Sequence, residues 1–225
     1  LHISHMAHTR CTFESVDPLA LNNAGVQAMD AGDLATALGA FAVSGFLESA
    51  GSIKSDYAHQ RAGAALWLMG ERHAAAGLWR HAVHELAKGR ITHSDDAGGV
   101  HSGLLLWYAW RRTGEQIYAD EAETHLLRLW RKPRSASWPG PLAAYVLGKV
   151  APEALLATAE SSGSLRPRHL NQAHFYVGLE LSAAGDLPSA IAHFRNAERT
   201  ALGLSLREVE FYLARYELGQ ANVAV

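Results

Sequence analysis

The sequence predicts an all-α protein, a solenoid of tandem helix–turn–helix units that ends in a capping helix. Two observations predict this. The chain of 225 residues is 48% hydrophobic and 19% charged, which is the composition of a globular protein. Its commonest residues, alanine and then leucine, favour helix by intrinsic propensity. In addition, one pattern of small, apolar and aromatic residues recurs along the chain at helical spacing.

The recurring pattern has a glycine in a first helix, a second glycine at a turn and an aromatic residue in a second helix. Its three copies are Gly25, Gly32 and Phe41; Gly63, Gly70 and Trp79; and Gly178, Gly185 and Phe194. The turn glycine suits a left-handed helix cap. A glycine inside a helix costs about 1 kcal/mol of propensity, so we expect it to admit a close neighbour. We expect the aromatic residue to fill the space between the two helices.

These copies divide the chain into repeats. Complete repeats are predicted at about 18–50, 56–88 and 171–203. A degenerate repeat at 100–130 has Trp107 and Glu123 in place of the helical glycine and the aromatic residue. Proline residues interrupt the pattern and predict an irregular helical pair at 139–160.

The remaining segments lie at the two ends of the chain. A last helix at 205–218 is predicted to cover the open end of the stack, so that 18–218 forms a single domain. Residues 1–6 are interpreted as a cloning remnant, and residues 7–17 as an N-terminal tail.

The spacing of the copies resembles that of the tetratricopeptide repeat, a helix–turn–helix unit. The block 138–197, with Trp138-Pro139-Gly140-Pro141 near its start and Gly185-Asp186 near its end, also resembles bacterial tetratricopeptide adaptor proteins of the NlpI type. The resemblance implies a protein-interaction scaffold or adaptor that binds a peptide or partner protein on the concave face of the solenoid. The chain lacks the lipidation signal of those lipoproteins, so their location and partners do not carry over.

The resemblance also implies which residues contact the partner, because peptides bind this family on the first helix of each repeat, away from the packing face. These positions are Asn22, Asp30, Tyr57, Gln60, Arg61, Trp67, His101, Tyr108, Arg111 and Arg112. Arginine can bind a carboxylate through two hydrogen bonds, and tyrosine offers an aromatic surface with a hydroxyl group. We therefore expect a partner that carries a carboxylate. For Trp67, a place in the core is an equal alternative.

A second function class rests on the polar loop 92–99. His93, Asp95 and Asp96 could act as general acid and base, in an enzyme or a metal-dependent regulatory subunit. The structural alternative is a helix N-cap and turn. His81 and His84 could share a metal ion, but no third ligand lies nearby in the sequence. We expect no catalytic residues, no metal site and no cofactor, and we favour the scaffold.

Charge and hydropathy narrow the class of partner and the location. The chain has 20 Lys and Arg against 22 Asp and Glu, a net charge of −2, which argues against nucleic-acid binding. No apolar run is long enough for a transmembrane helix, so no membrane insertion is expected. A cytoplasmic location is the default, and a periplasmic or lipid-anchored one stays open if a signal peptide has been removed. Homo-oligomerisation through the same groove also stays open.

Overall fold

The computed structural model of the chain describes residues 17–50, 55–204 and 207–223. Over these ranges the regular structure is helical, which confirms the all-α class, and Ser55 and Thr92 form an isolated β bridge. The helices are α1 (Pro18–Ala31), α2 (Leu34–Ala50), α3 (Tyr57–Leu68), α4 (Arg72–Ala87), α5 (Val100–Thr113), α6 (Gln116–Trp130), α7 (Gly140–Val146), α8 (Pro152–Glu160), α9 (Arg166–Ala183), α10 (Leu187–Ala201) and α11 (Val209–Val223). None of the helices in these ranges is long and apolar enough to cross a membrane. The segment 1–6 and nearly all of the 7–17 tail lie outside the described residues.

Four helix pairs form the repeated part of the structure. Their first members, α1, α3, α5 and α9, are called A helices here, and their second members, α2, α4, α6 and α10, are called B helices. Each A helix packs against the B helix that follows it. The turns contain glycines with φ between 74° and 90°, namely Gly32, Gly70, Gly114 and Gly185. L side chains rarely adopt this left-handed conformation, which explains the glycine at each turn.

The glycine inside an A helix makes room for the aromatic residue of its B helix. A Cβ atom would lie 2.5 Å from the Phe41 ring at Gly25, and 2.2 Å from Trp79 Nε1 at Gly63. At Gly178 it would lie 2.9 Å from the Phe194 ring. All three aromatic residues are at most 3% exposed. The predicted pairing of glycine with aromatic residue is therefore confirmed in all three copies.

The degenerate pair, α5 and α6, makes its close contact one turn earlier. A Cβ atom at Gly103 would lie 2.8 Å from His125 Cδ2 and 2.8 Å from Leu126 Cδ2. Trp107, which stands at the usual glycine position, points instead to α9, where its Nε1 donates a hydrogen bond of 2.8 Å to Glu180. The two helices thus approach each other closely at Gly103, although the positions of the glycine and aromatic residue in the other copies are taken by Trp107 and Glu123.

Gly63 offers a test of this packing. We expect Gly63→Ala to lower the free energy of unfolding by about 1–3 kcal/mol, because the overpacking against Trp79 exceeds the gain in helix propensity. Gly77→Ala is the matched control, since no atom lies within 4 Å of a Cβ there. The control should be neutral or stabilising by up to about 1 kcal/mol. Urea unfolding of both variants measures the difference, and equal shifts would contradict the proposed contact.

Two short helices connect the third pair to the fourth. A 3-10 turn, Pro133–Ala136, leads into α7, and a second one, Gly163–Leu165, precedes α9. The fourth pair begins at Arg166, earlier than the predicted 171. Pro167 stands in the first turn of α9 and is compatible with this earlier start. Proline is favoured there since the first helical residues need no hydrogen-bond donor.

The last helix, α11, does not simply cover the end of the stack as the sequence predicts. It packs against α10, α3 and α9, so it lies across the A helices. Every residue from Val209 to Ala214 is buried, and Phe211, Tyr212, Leu213 and Ala214 are at most 4% exposed. A helical segment that is buried on all sides is surrounded by other parts of the protein. The described helix also runs from Val209 to Val223 rather than over 205–218, and residues 205–206 lie outside the described residues.

Candidate functional site

Side chains of the first two A helices bind the start of α11 and Arg207, two residues before it. Asp30 of α1 accepts a hydrogen bond of 2.7 Å from the Tyr212 hydroxyl. It also forms an ion pair of 2.5 Å with Arg207. Arg61 of α3 donates to the main-chain carbonyl of Arg207 at 3.1 Å. Two of the predicted partner-binding residues therefore contact a segment of their own chain.

The third A helix, α5, binds two glutamates of α11. His101 Nε2 lies 2.7 Å from Glu210 Oε1. About two helical turns further along α5, the Tyr108 hydroxyl donates to Glu217 Oε1 at 2.7 Å. Arg112 Nε forms an ion pair of 3.0 Å with the same Glu217 oxygen. The carboxylates expected of a partner are thus supplied by α11.

The contact between His101 and Glu210 is a buried ion pair. Burial lowers the pKa of His101, but the charge of Glu210 and the hydrogen bond to it outweigh burial and raise the pKa to about 9. Burial raises the pKa of Glu210, but His101 and Gln172 hold it below the usual range. Gln172 Nε2 of α9 donates to Glu210 Oε2 at 3.3 Å. Both partners are therefore charged at neutral pH.

Three predicted partner-binding residues are instead part of the interior. Asn22, Gln60 and Trp67 are at most 5% exposed. Gln60 Nε2 donates to Asp56 at 2.9 Å within the buried junction of α3 and α5. Trp67 stacks on Trp79 at 5.6 Å between ring centroids, so of its two alternatives the core is correct. For Gln60 and Trp67 the physical reason is that helices pack on more than one side of α3.

The remaining two predicted residues are partly covered by neighbouring side chains. The Arg61 guanidinium lies over the Tyr57 ring, with Arg61 Cζ 4.6 Å from the ring centroid. Arg111 binds both carboxylate oxygens of Glu180 on α9, and its guanidinium lies 4.1 Å from the Trp110 ring centroid. Arg111 therefore connects α5 to α9 and is not available as a free cation.

The polar loop before α5 forms the cap of that helix. The two carboxylate oxygens of Asp95 accept hydrogen bonds of 2.9 Å from the main-chain N–H groups of Gly99 and His101. His93 Nδ1 lies 2.7 Å from the Asp95 carbonyl oxygen. A carboxylate at this position satisfies donors that the first turn of a helix leaves unpaired. In the described ranges no group of three or more His, Cys, Asp and Glu residues could hold a metal ion.

Open space lies along two sides of α11. A cavity of about 660 Å³ lies between parts of α10 and α11, and one of about 450 Å³ lies between α1 and α11. The first cavity contains residues that the sequence analysis does not select, namely Leu187, Ile191 and Arg195 of α10. In the sequence these residues stand out as an apolar pair four residues apart, followed by an arginine one turn later. This spacing places them on one face of α10, beside the face that packs on α9.

Comparison of the chain with models of known protein families and with curated proteins finds no match. Function is therefore inferred from the geometry of α11 and the residues around it.

Proposed function

We propose that the chain is a protein-interaction scaffold or adaptor, built as a tetratricopeptide-like solenoid that binds a partner on its concave face. The repeated pairing of glycine and aromatic residue supports the repeat architecture. The A helices also support it, because side chains of α1, α5 and α9 contact α11, and Arg61 of α3 binds Arg207 just before α11. A curved face lined by the first helices of successive repeats is the binding surface of such solenoids.

The observation that carries the proposal is that this face holds an acidic helix through its side chains. His101 binds Glu210, while Tyr108 and Arg112 bind Glu217. Recognition of a helix in a groove uses contacts at this spacing, from successive turns of one helix face. Residues that the sequence selects for carboxylate binding thus make such contacts within the chain.

The position of α11 determines where a partner can bind. The first half of α11 is buried on all sides, with Leu213 and Ala214 fully covered, so the middle of the face is occupied. Arg215, Gly219 and Gln220 in its second half are exposed. We therefore place the partner on the open strips along α11, and not over Arg61 and His101.

The alternative, an enzyme or metal-dependent subunit that uses His93, Asp95 and Asp96, gains no support from the geometry. Asp95 uses both carboxylate oxygens for main-chain hydrogen bonds of α5. A general base needs an oxygen that can accept a proton from a substrate. The proposal requires no cofactor, no nucleic acid and no insertion into a membrane.

Site-specific photo-cross-linking in cells tests the proposal. A photoreactive amino acid is placed at Arg215 or Gln220, both exposed on α11, and in a control variant at Glu123, exposed on α6. We expect defined protein adducts from the two α11 positions and none from Glu123, because the partner lies on the A-helix side.

Adducts of equal yield from Glu123 would contradict binding on the concave side. The absence of adducts from both α11 positions, in a chain that folds normally, would reject the proposal. Adducts whose mass equals twice that of the chain would identify the partner as a second copy.

A further inference from the structure

A cleft between α10 and α11 remains open in the folded chain. It has a volume of about 660 Å³ and extends from the first turn of α10 to Gln220 and Ala221 on α11. Arg112 of α5 lies at its inner end. A cavity of this size is within the range of small-molecule and peptide-side-chain sites.

The wall that α10 contributes to this cleft is apolar. Phe194 lies at the bottom and is 3% exposed, while Leu187 at the rim is 54% exposed. Ile191 stands between them, one turn from each. Covering this wall would remove apolar surface from water, which favours association.

The charged groups at the cleft leave an excess of positive charge. Arg112 and Arg195 line it, together with one carboxylate, that of Glu217. Arg112 already forms an ion pair with Glu217, and its buried Nη2 has no hydrogen-bond acceptor. Arg195 is exposed, and no hydrogen bond or ion pair joins it to the residues that the structure describes. An incoming carboxylate would therefore find unpaired guanidinium donors.

We propose that this cleft binds a helical segment of a partner protein through one apolar side chain and one Asp or Glu carboxylate. The apolar side chain covers Ile191 and Phe194, and the carboxylate binds Arg195. Within the same cleft, Glu217 of α11 already binds Arg112 of α5, which is an example of a helix that presents a carboxylate to an arginine of this cleft. This inference rests on the proposed scaffold function and names the site and the chemistry of the partner.

A phage-displayed library of helical peptides is the probe for this site. We expect selection on the full chain to enrich peptides that carry Asp or Glu within one helical turn of Leu, Ile or Phe. Arg195→Gln should weaken the selected peptides about tenfold or more, as expected on losing a charged contact at a binding site. Arg199→Gln is the matched control, because Arg199 lies on the same helix, bonded to Asn196, and does not line the cleft.

A second variant removes the apolar contact. Ile191→Asp should abolish peptide binding, with circular dichroism and urea unfolding used to verify that the chain folds. Failure to enrich any peptide, enrichment of peptides without a carboxylate, or unchanged binding to Arg195→Gln would each overturn the proposal. A wild-type dimer that Ile191→Asp converts to a monomer, measured by sedimentation, would assign the cleft to a second copy and overturn it as well.

The two proposals can fail separately. Arg215 lies on the other side of α11. If it cross-links to a partner and the selected peptides bind Arg195→Gln as tightly as the wild type, the scaffold function is retained and this cleft is rejected as the site. If neither α11 position cross-links and no peptide is enriched, both proposals are rejected.

Discussion

His101→Ala is expected to lower the free energy of unfolding by about 3–5 kcal/mol, which is the usual cost of removing one partner of a buried ion pair. Glu210 is fully buried, and without His101 its carboxylate loses the cation that faces it at 2.7 Å, although Gln172 still donates to it at 3.3 Å. The charge would then remain in an apolar interior without a compensating cation. Urea unfolding, followed by circular dichroism, measures the loss.

An exposed ion pair and a double variant are the controls. Arg166→Ala breaks the pair with Glu160, whose side chains are 50% and 54% exposed, and should cost less than about 1 kcal/mol. His101→Leu/Glu210→Leu should recover most of the lost stability, since apolar residues can replace a buried ion pair without loss. A loss in His101→Ala no larger than that in Arg166→Ala would contradict a stabilising buried contact.

The pH dependence of stability gives an independent readout of the same pair. Because the pKa of His101 rises from its ordinary 6.5 to about 9 on folding, its contribution is fully present below pH 6.5. The contribution is lost as the pH rises from 6.5 through 9, where the folded chain releases the proton. We expect this decline in the stability curve of the wild type and not in that of the double variant, so the difference between the two curves reports the pair.

Trp79→Ala is expected to lower the free energy of unfolding by about 3–5 kcal/mol, the cost of deleting a buried aromatic side chain and leaving a cavity. Trp79 is fully buried and packs against Gly63 and the Trp67 ring. Its Nε1 also donates to the Gln60 carbonyl at 3.1 Å.

Trp130→Ala is the matched control, since this tryptophan ends α6 and is 39% exposed. Its loss should shift stability by less than about 1 kcal/mol, as is usual for surface positions. Equal shifts of the urea midpoint in the two variants would show that the assigned repeat register of α3 and α4 is wrong.

The pairing of helices could be predicted from the sequence because it depends on near neighbours along the chain. Gly63 and Trp79 belong to one short repeat, so their contact follows from helical periodicity and one turn. The turn glycines follow from the same reasoning, because a left-handed φ of 90° at Gly70 excludes most other residues.

The candidate site could be predicted in part. Residues of the A helices that lie off the packing face could be identified by their spacing, and the carboxylate chemistry of Arg112 and Tyr108 could be inferred from residue type. Spacing cannot tell whether such a face meets solvent or another helix. For that reason the sequence left Trp67 open between groove and core and selected Gln60 as a contact residue, whereas both are buried. The glutamates of α11 offered a signal, since carboxylates within an apolar helix need cations or donors to pair with.

The sequence by itself determined the all-α class, the repeated helix pairs and the glycine that admits each aromatic residue. The tertiary structure alone decided where α11 lies and which groups its carboxylates meet. The hydrogen bond between Tyr108 and Glu217 joins residues 109 positions apart, and that of Tyr212 with Asp30 joins residues 182 positions apart. Such contacts depend on how helices far apart in the sequence pack on one another, which no local periodicity encodes.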